Sequence, residues 1–305
     1  MKKRLRALLL TLLMMAAALP AWAQEPEITD AGFLADSYLE DEYLSADEEA
    51  GRWVYLSRSL SVRVNRYEEE GPREYYVAEV RCSPETPLQT AVTAGKHPGR
   101  KLVNPRSLAQ ESHAVLALTD DFYGYRMQKG HTVGVILRQG QVLSQKTRSS
   151  RNVRGWPNLD VLAVYDDGRM EVNPSDAFTA DEYLAAGAVN VFAFGPMLLK
   201  DGQLIDYVME GDYYPYNEPR LAIGMVKPYH YVVLAVVGRE EASKGARLSW
   251  MAEKLQSLGV REALNLDGGG TAALMFMGRV LNRSEKNMRS VGSLITFGES
   301  RLALP

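Results

Sequence analysis

The chain has 305 residues, 46% of them hydrophobic, and a formal net charge of −3. That is enough apolar material for one large domain or two small ones, and the slight negative balance argues against a nucleic-acid surface. A single cysteine, Cys82, excludes an internal disulfide, and His97, His113, His131 and His230 stand singly, without zinc-ligand spacing.

Lys2, Lys3, Arg4 and Arg6 precede an apolar run, Ala7 to Pro20, which ends in Ala21-Trp22-Ala23. This pattern predicts a secretory signal peptide over residues 1–23. The run is shorter than the roughly 20 residues a helix needs to cross a bilayer, so a secreted, extracytoplasmic protein with no permanent membrane span is expected. Gln24 to Ala50 carries ten acidic side chains and no basic one, which predicts an acidic leader over 24–51, solvated or weakly helical. The folded domain is expected over 52–305.

Within it, short β-rich runs alternate with turn signals. Val133 to Leu137 and Val142-Leu143 flank Gln139-Gly140, Val161 to Tyr165 and Met170 to Val172 flank Asp167-Gly168, and Met197 to Leu199 and Leu204-Ile205 flank Asp201-Gly202. An Xaa-Gly pair supplies the positive φ of a tight hairpin, so these read as antiparallel pairs. Helices are predicted over Asp176 to Gly187 and Ser243 to Gly259, the latter with Leu248, Met251, Ala252, Leu255 and Leu258 on one stripe. Tyr231 to Val237 reads as a strand buried on both faces, and Glu262 to Leu266 as a buried strand feeding Asp267-Gly268-Gly269-Gly270. The expected fold class is α+β: a single domain with a largely antiparallel or mixed twisted sheet and packed helices.

The Asp-triglycine is the first chemical candidate. Three residues without Cβ let backbone come close to a ligand beside Asp267, and successive N–H groups there can form an anion-binding nest. Arg220, in Asn217-Glu218-Pro219-Arg220, could grip a phosphate through paired hydrogen bonds. Val115 to Thr119 leads into Asp120-Asp121; neighbours in an extended chain point opposite ways, so at most one of the two acids is expected to face a site. Arg289 precedes the last strand. No nucleophile elbow, Walker loop or dinucleotide fingerprint is present.

Taken in order, LTDDFYG, FGPMLLKDG, EPRLAIG, VVGR, LNLDGGGTA and MRSVGSL resemble the phosphodiester glycosidase family over roughly Tyr76 to Phe297. Asn265, Asp267, Gly268, Gly269, Gly270 and Thr271 match its strongest motif, with Thr271 for the commoner serine. Arg220 and Gly224 match P-R-T-A-I-G with Leu221 for threonine, Gly195-Pro196 match F-G-P, and Val237-Gly238-Arg239 stands where the family has D-G-R. Thr119-Asp120-Asp121 keeps the acid of the family's N-G-D but not its Asn-Gly.

The resemblance implies an exported hydrolase that cleaves a sugar-1-phosphodiester in a cell-envelope or extracellular glycan. Asp267 and Asp121 would act as catalytic carboxylates. Arg220, Gly268, Gly269, Gly270, Thr271, Asn265, Gly195 and Arg289 would bind substrate or its phosphate. The expected partner is a phosphorylated glycan, not nucleic acid. No cofactor and no metal ligand is assigned, though a divalent cation held by Asp121 and Asp267 stays open. Two other readings stay open as well: a non-catalytic binding module for phosphorylated polysaccharide, and a phosphodiesterase cutting the P–O bond.

Overall fold

The computed structural model describes residues 26–146, 158–211, 214–283 and 288–304, so the expected signal peptide lies outside the described residues. The described chain opens with β1 (Glu42–Asp47), β2 (Arg52–Ser57), β3 (Leu60–Glu69), β4 (Arg73–Cys82) and β5 (Gln89–Val92). Then come α1 (Pro105–Glu111), β6 (Ala114–Thr119), α2 (Tyr123–Gln128), β7 (Ile136–Arg138), β8 (Gln141–Ser144), β9 (Asp160–Tyr165), β10 (Met170–Asn173), α3 (Ala180–Ala185) and β11 (Ala188–Phe194). The last part holds β12 (Met197–Lys200), β13 (Gln203–Leu204), α4 (Asp206–Met209), β14 (Arg220–Lys227), β15 (His230–Val236) and α5 (Leu248–Ser257). It ends with β16 (Glu262–Asn265), β17 (Leu274–Phe276), β18 (Arg279–Val280) and β19 (Ser293–Glu299).

These strands form a nine-stranded sheet, β1-β2-β3-β4-β15-β14-β16-β12-β13, and two five-stranded sheets, β10-β9-β11-β7-β8 and β18-β17-β6-β19-β5. The nine-stranded order follows from the side-chain pattern, since its central strands are buried on both faces. In β15, Tyr231, Val233 and Ala235 enter a central core, while Val232, Leu234 and Val236 face α5 through Leu248, Met251, Ala252 and Leu255. The central core draws on all three sheets: Leu162 and Phe192 come from the second, and Leu116, Leu118, Phe276 and Ile295 from the third. Helix α3 closes the outer face of the second sheet with Ala180 and Tyr183, and α1 that of the third with Leu108 and Ala109.

Three expectations are corrected. The architecture is mainly β rather than α+β, and among the described residues the strand pairings are antiparallel, with no parallel component of a mixed sheet. The predicted helices are shorter than expected. Thr179 caps α3 through a reciprocal bond with Glu182, three residues after the predicted start at Asp176. Before α5, Ser243 donates to the carbonyl of Val237, and Ala246 pairs with Glu218. The acidic leader is likewise part of the fold at its C-terminal end: β1 pairs along its whole length with β2, and Leu34 is buried against Val54 and Leu56.

Gly224 illustrates how tightly β14 and β16 pack. A Cβ there would lie 2.5 Å from both the Glu262 carbonyl oxygen and Val260 Cγ1. Gly224→Ala is therefore expected to destabilise the protein by about 1–3 kcal/mol through overpacking, read as a lowered denaturation midpoint; an unchanged midpoint would refute this packing argument.

Candidate active site

Strand β16 delivers the Asp-triglycine to the edge where the sheets meet, and backbone hydrogen bonds fix it from several sides. Leu266 N–H donates to Leu221 O (2.8 Å), Asp267 N–H to Asp120 O (3.3 Å), Gly269 N–H to Pro219 O (2.9 Å) and Arg289 N–H to Gly270 O (3.1 Å). Segments distant in sequence, around Asp120, Pro219 and Arg289, thus converge on one loop. The expected anion nest is corrected in part, because the Gly269 N–H is already engaged.

The glycines serve close approach instead. A Cβ on Gly268 would sit 2.7 Å from Pro219 O, and one on Gly270 3.0 Å from Arg289 Nε. Gly269 has φ +57°, and a Cβ on it would lie 3.3 Å from Arg239 Nη2. The triglycine therefore lets arginine side chains lie against the loop backbone. A third arginine, Arg283, donates to Gly269 O (3.0 Å) and Ala272 O (3.3 Å). Burial lowers the Arg283 pKa, and neighbouring Arg289 and Arg239 lower it further against the pull of Glu240. Glu218 accepts from Arg239 Nε at 2.6 Å. Mutual repulsion of this kind is relieved when an anion binds among the guanidiniums.

Asp267 lies beside this cationic rim. Burial raises its pKa, opposed by the Thr271 hydroxyl, Arg289, Arg126 and the Gly268 N–H. Its Oδ2 is buried and makes no hydrogen bond. Asn265, two residues earlier, donates through Nδ2 to Gly195 O (2.9 Å) and leaves Oδ1 buried without a partner. Gly195 has φ +83° and a cis bond to Pro196, and a Cβ on it would meet Asn158 Oδ1 at 2.2 Å. Gly195 thus holds Asn265 in place by its carbonyl rather than by contacting a phosphate itself.

Asp121 requires a correction. Strand β6 ends at Thr119 and Phe122 adopts φ +53°, so the chain leaves the extended form and both acids turn to one side. Arg138 Nη2 donates to Asp120 Oδ2 (3.0 Å) and to Asp121 Oδ1 (2.8 Å). The remaining Asp121 oxygen accepts from Ala193 N–H (3.0 Å), and Tyr123 N–H also donates to Oδ1 (3.2 Å). Asp120 further accepts from the Ser293 hydroxyl and from Phe122 N–H. Both acids are fully buried. Burial first, and then Asp121 beside it, raise the Asp120 pKa to about 6. Both Asp121 oxygens thus accept hydrogen bonds from within the protein, which marks Asp121 as a positioning group rather than a carboxylate facing substrate. Among the described residues no cluster of three His, Cys, Asp or Glu side chains stands at metal-binding distance.

Arg220 also differs from expectation. Its Nε donates to Ala246 O (3.2 Å) and Nη2 to Tyr216 O (3.0 Å), while the guanidinium stacks 5.0 Å from the Tyr214 ring. These bonds tie Arg220 to the 214–219 segment, whose Pro219 carbonyl accepts from Gly269 N–H. Thr119, where the family has Asn, donates from Oγ1 to Thr271 O (2.9 Å) and accepts from Ala273 N–H (3.0 Å).

The sequence reading missed Arg126, Arg138 and Arg283. Arg126 is buried, donates to Asp121 O (2.8 Å) and Ala193 O (2.7 Å), and lies near enough to Asp267 to favour its charged form.

The site thus sets one carboxylate, Asp267, against clustered arginines on a scaffold of antiparallel sheets. The chain belongs to the phosphodiester glycosidase family, whose model matches residues 112–297, a family of sugar-phosphodiester hydrolases. The SPβ prophage-derived uncharacterized protein YomE of Bacillus subtilis (strain 168) is 29% identical over 194 residues, 63% of this chain and 29% of that protein. The chain thus spans less than a third of that relative's length. In fold it is similar to the zebrafish N-acetylglucosamine-1-phosphodiester alpha-N-acetylglucosaminidase catalytic domain, auto-inhibited by its pro-peptide, with TM-score 0.58 and 17% identity over 86% of this chain and 89% of that one. A hypothetical protein from Synechocystis is similar at TM-score 0.52 and 16% identity, over 79% of this chain and 62% of that one.

Proposed function

We propose that this protein is an exported hydrolase that cleaves the bond between a sugar's anomeric carbon and a phosphodiester oxygen in an envelope or extracellular glycan. The observation that carries this reading is the buried Oδ2 of Asp267, without a hydrogen-bond partner, on a loop that Arg289, Arg239 and Arg283 line at Gly269 and Gly270. The arginines bind the phosphate, and Asp267 stabilises positive charge developing at the anomeric carbon as nucleophile, base or electrostatic partner. Water supplies the oxygen gained by the sugar, the C–O bond breaks, and the phosphate monoester leaves with the electron pair. Because that leaving group is already stable as an anion, the reaction needs no strong general acid, which suits a site where Asp121 is tied to Arg138. The N-terminal pattern Lys2 to Ala23 supports export. Among the described residues no helix is long and apolar enough to cross a membrane.

Incubation of the purified protein with an α-sugar-1-phosphodiester should release free sugar and a phosphate monoester; binding without turnover would overturn this reading. Arg283→Gln and Arg289→Gln are each expected to raise KM about 10-fold or more with a smaller change in kcat, since a charge-assisted hydrogen bond is worth about 1.5–3 kcal/mol. An unchanged KM in both variants would remove the arginine rim from the site.

The pH profile follows from the environment of Asp267. Its active form is the carboxylate and burial raises its pKa, so kcat/KM should fall as pH drops through a value above the ordinary Asp range. A profile flat down to that ordinary range would contradict the assignment.

A further inference from the structure

A cavity of about 660 Å³ lies away from the Asp267 loop, where the β1–β3 end of the nine-stranded sheet meets β5, the edge strand of the third sheet. Its volume is in the range of small-molecule sites. Glu299, on its wall, pairs with Ala114, while Ser293 at the other end of β19 donates from its hydroxyl to Asp120. At about 3.3 Å per residue, β19 sets Glu299 about 20 Å from Ser293.

The charge of this cavity is one-sided. Arg58 is the cation among the described lining residues, and it is already compensated: Nη1 donates to Asp41 (2.9 Å) and Nε to Asp36 (3.3 Å). Glu42, Glu85 and Glu299 also line the cavity and form no ion pair among the described residues. Glu42 keeps one neutral bond, from the Ser300 hydroxyl at 2.7 Å. Between these acids lies Thr296, only 6% exposed, whose hydroxyl has no hydrogen-bond partner among the described residues. Thr90 beside it is engaged, since its hydroxyl donates to Asn190 Oδ1 (3.2 Å) and its carbonyl accepts from Gln139 Nε2 (2.7 Å). Leu60, Pro87 and Ala91 add apolar surface.

Three uncompensated carboxylates around one concave surface call for positive charge. Among the described residues no three such groups stand close enough to share a metal ion, so the charge must be spread along the ligand. We propose that this cavity is a second binding site, separate from the Asp267 loop, for a small polar ligand carrying two or more protonated primary amines. The ammonium groups donate to Glu42, Glu85 and Glu299, Thr296 completes its hydroxyl on a further donor, and the apolar wall packs against methylene or ring C–H groups. A free aliphatic polyamine and an oligosaccharide of glucosamine with free amino groups both present this chemistry. The site does not depend on the glycosidase reading.

Calorimetric titration of the purified protein with spermidine, with a glucosamine trimer and with the tri-N-acetylated trimer tests this. At least one of the two amines should bind with one molecule per chain, and the one that binds more tightly identifies the source. The double variant Glu85→Gln/Glu299→Gln should weaken that binding about 10–100-fold through lost charge-assisted hydrogen bonds, and Thr296→Val, which changes no charge, about 3–10-fold. No binding of either amine overturns the proposal, as does undiminished binding in the folded double variant. A tri-N-acetylated trimer that binds the wild type as tightly as the amines also overturns it, and this comparison decides the matter even if the variants fail to fold.

Discussion

Asp267→Asn is expected to lower kcat on a sugar phosphodiester by about 10³-fold or more while leaving the fold intact, in the upper part of the range for loss of a catalytic acid or base. The amide fills the same space, so the hydrogen bonds of the loop backbone to Asp120, Pro219 and Arg289 are retained. The stability change should run opposite to the activity change. The folded-state pKa of Asp267 is raised, so its charge is disfavoured by folding at neutral pH, and a neutral amide removes that cost. A melting temperature equal to or above wild type, together with lost turnover, is the expected pair of results; Asp267→Asn with turnover within 10-fold of wild type would remove Asp267 from the chemistry.

The largest stability effect is expected at Arg138. Its guanidinium is the counter-charge for two fully buried carboxylates and stacks 4.2 Å from the Phe192 ring centre. Arg138→Met keeps much of the apolar bulk but strands Asp120 and Asp121, and removing one partner of a buried ion pair costs about 3–5 kcal/mol. The loss should depend on pH. The Asp120 pKa already stands at about 6, raised from 3.8, so folding favours its protonated form. Its contribution to stability is full below about 3.8 and fades as pH rises through about 6. Without Arg138 the carboxyls are still harder to ionise, so denaturant unfolding should show a smaller deficit at pH 5 than at pH 8. An equal deficit at both would point to lost packing alone.

Much of the architecture was legible because its signals are local. Asp201 and Gly202 have φ +54° and +80°, and Gln139 and Gly140 +49° and +75°, as expected for tight hairpins read from two adjacent residues. The 3.6-residue stripe of α5 and the two-faced burial of β15 were equally plain. What the helix stripes overstated was length: the caps at Thr179 and the Glu218 contacts of the 243–246 segment decide where helices begin. The contiguous Asn265 to Thr271 motif located the candidate site. Its electrostatics were not legible, since Arg138 meets Asp121 across 17 residues and Arg126 meets Ala193 across 67. No local pattern marks such arginines. The misreading of Asp121 has a single cause, the assumption that the extended chain continues past Thr119.

In the proposed reaction water attacks the sugar carbon and not phosphorus. Hydrolysis of an α-sugar-1-phosphodiester in heavy-oxygen water, with mass analysis of both products, tests it directly. The label is expected in the released sugar and none in the phosphate monoester; label in the phosphate monoester would show P–O cleavage and rule out attack at the sugar carbon.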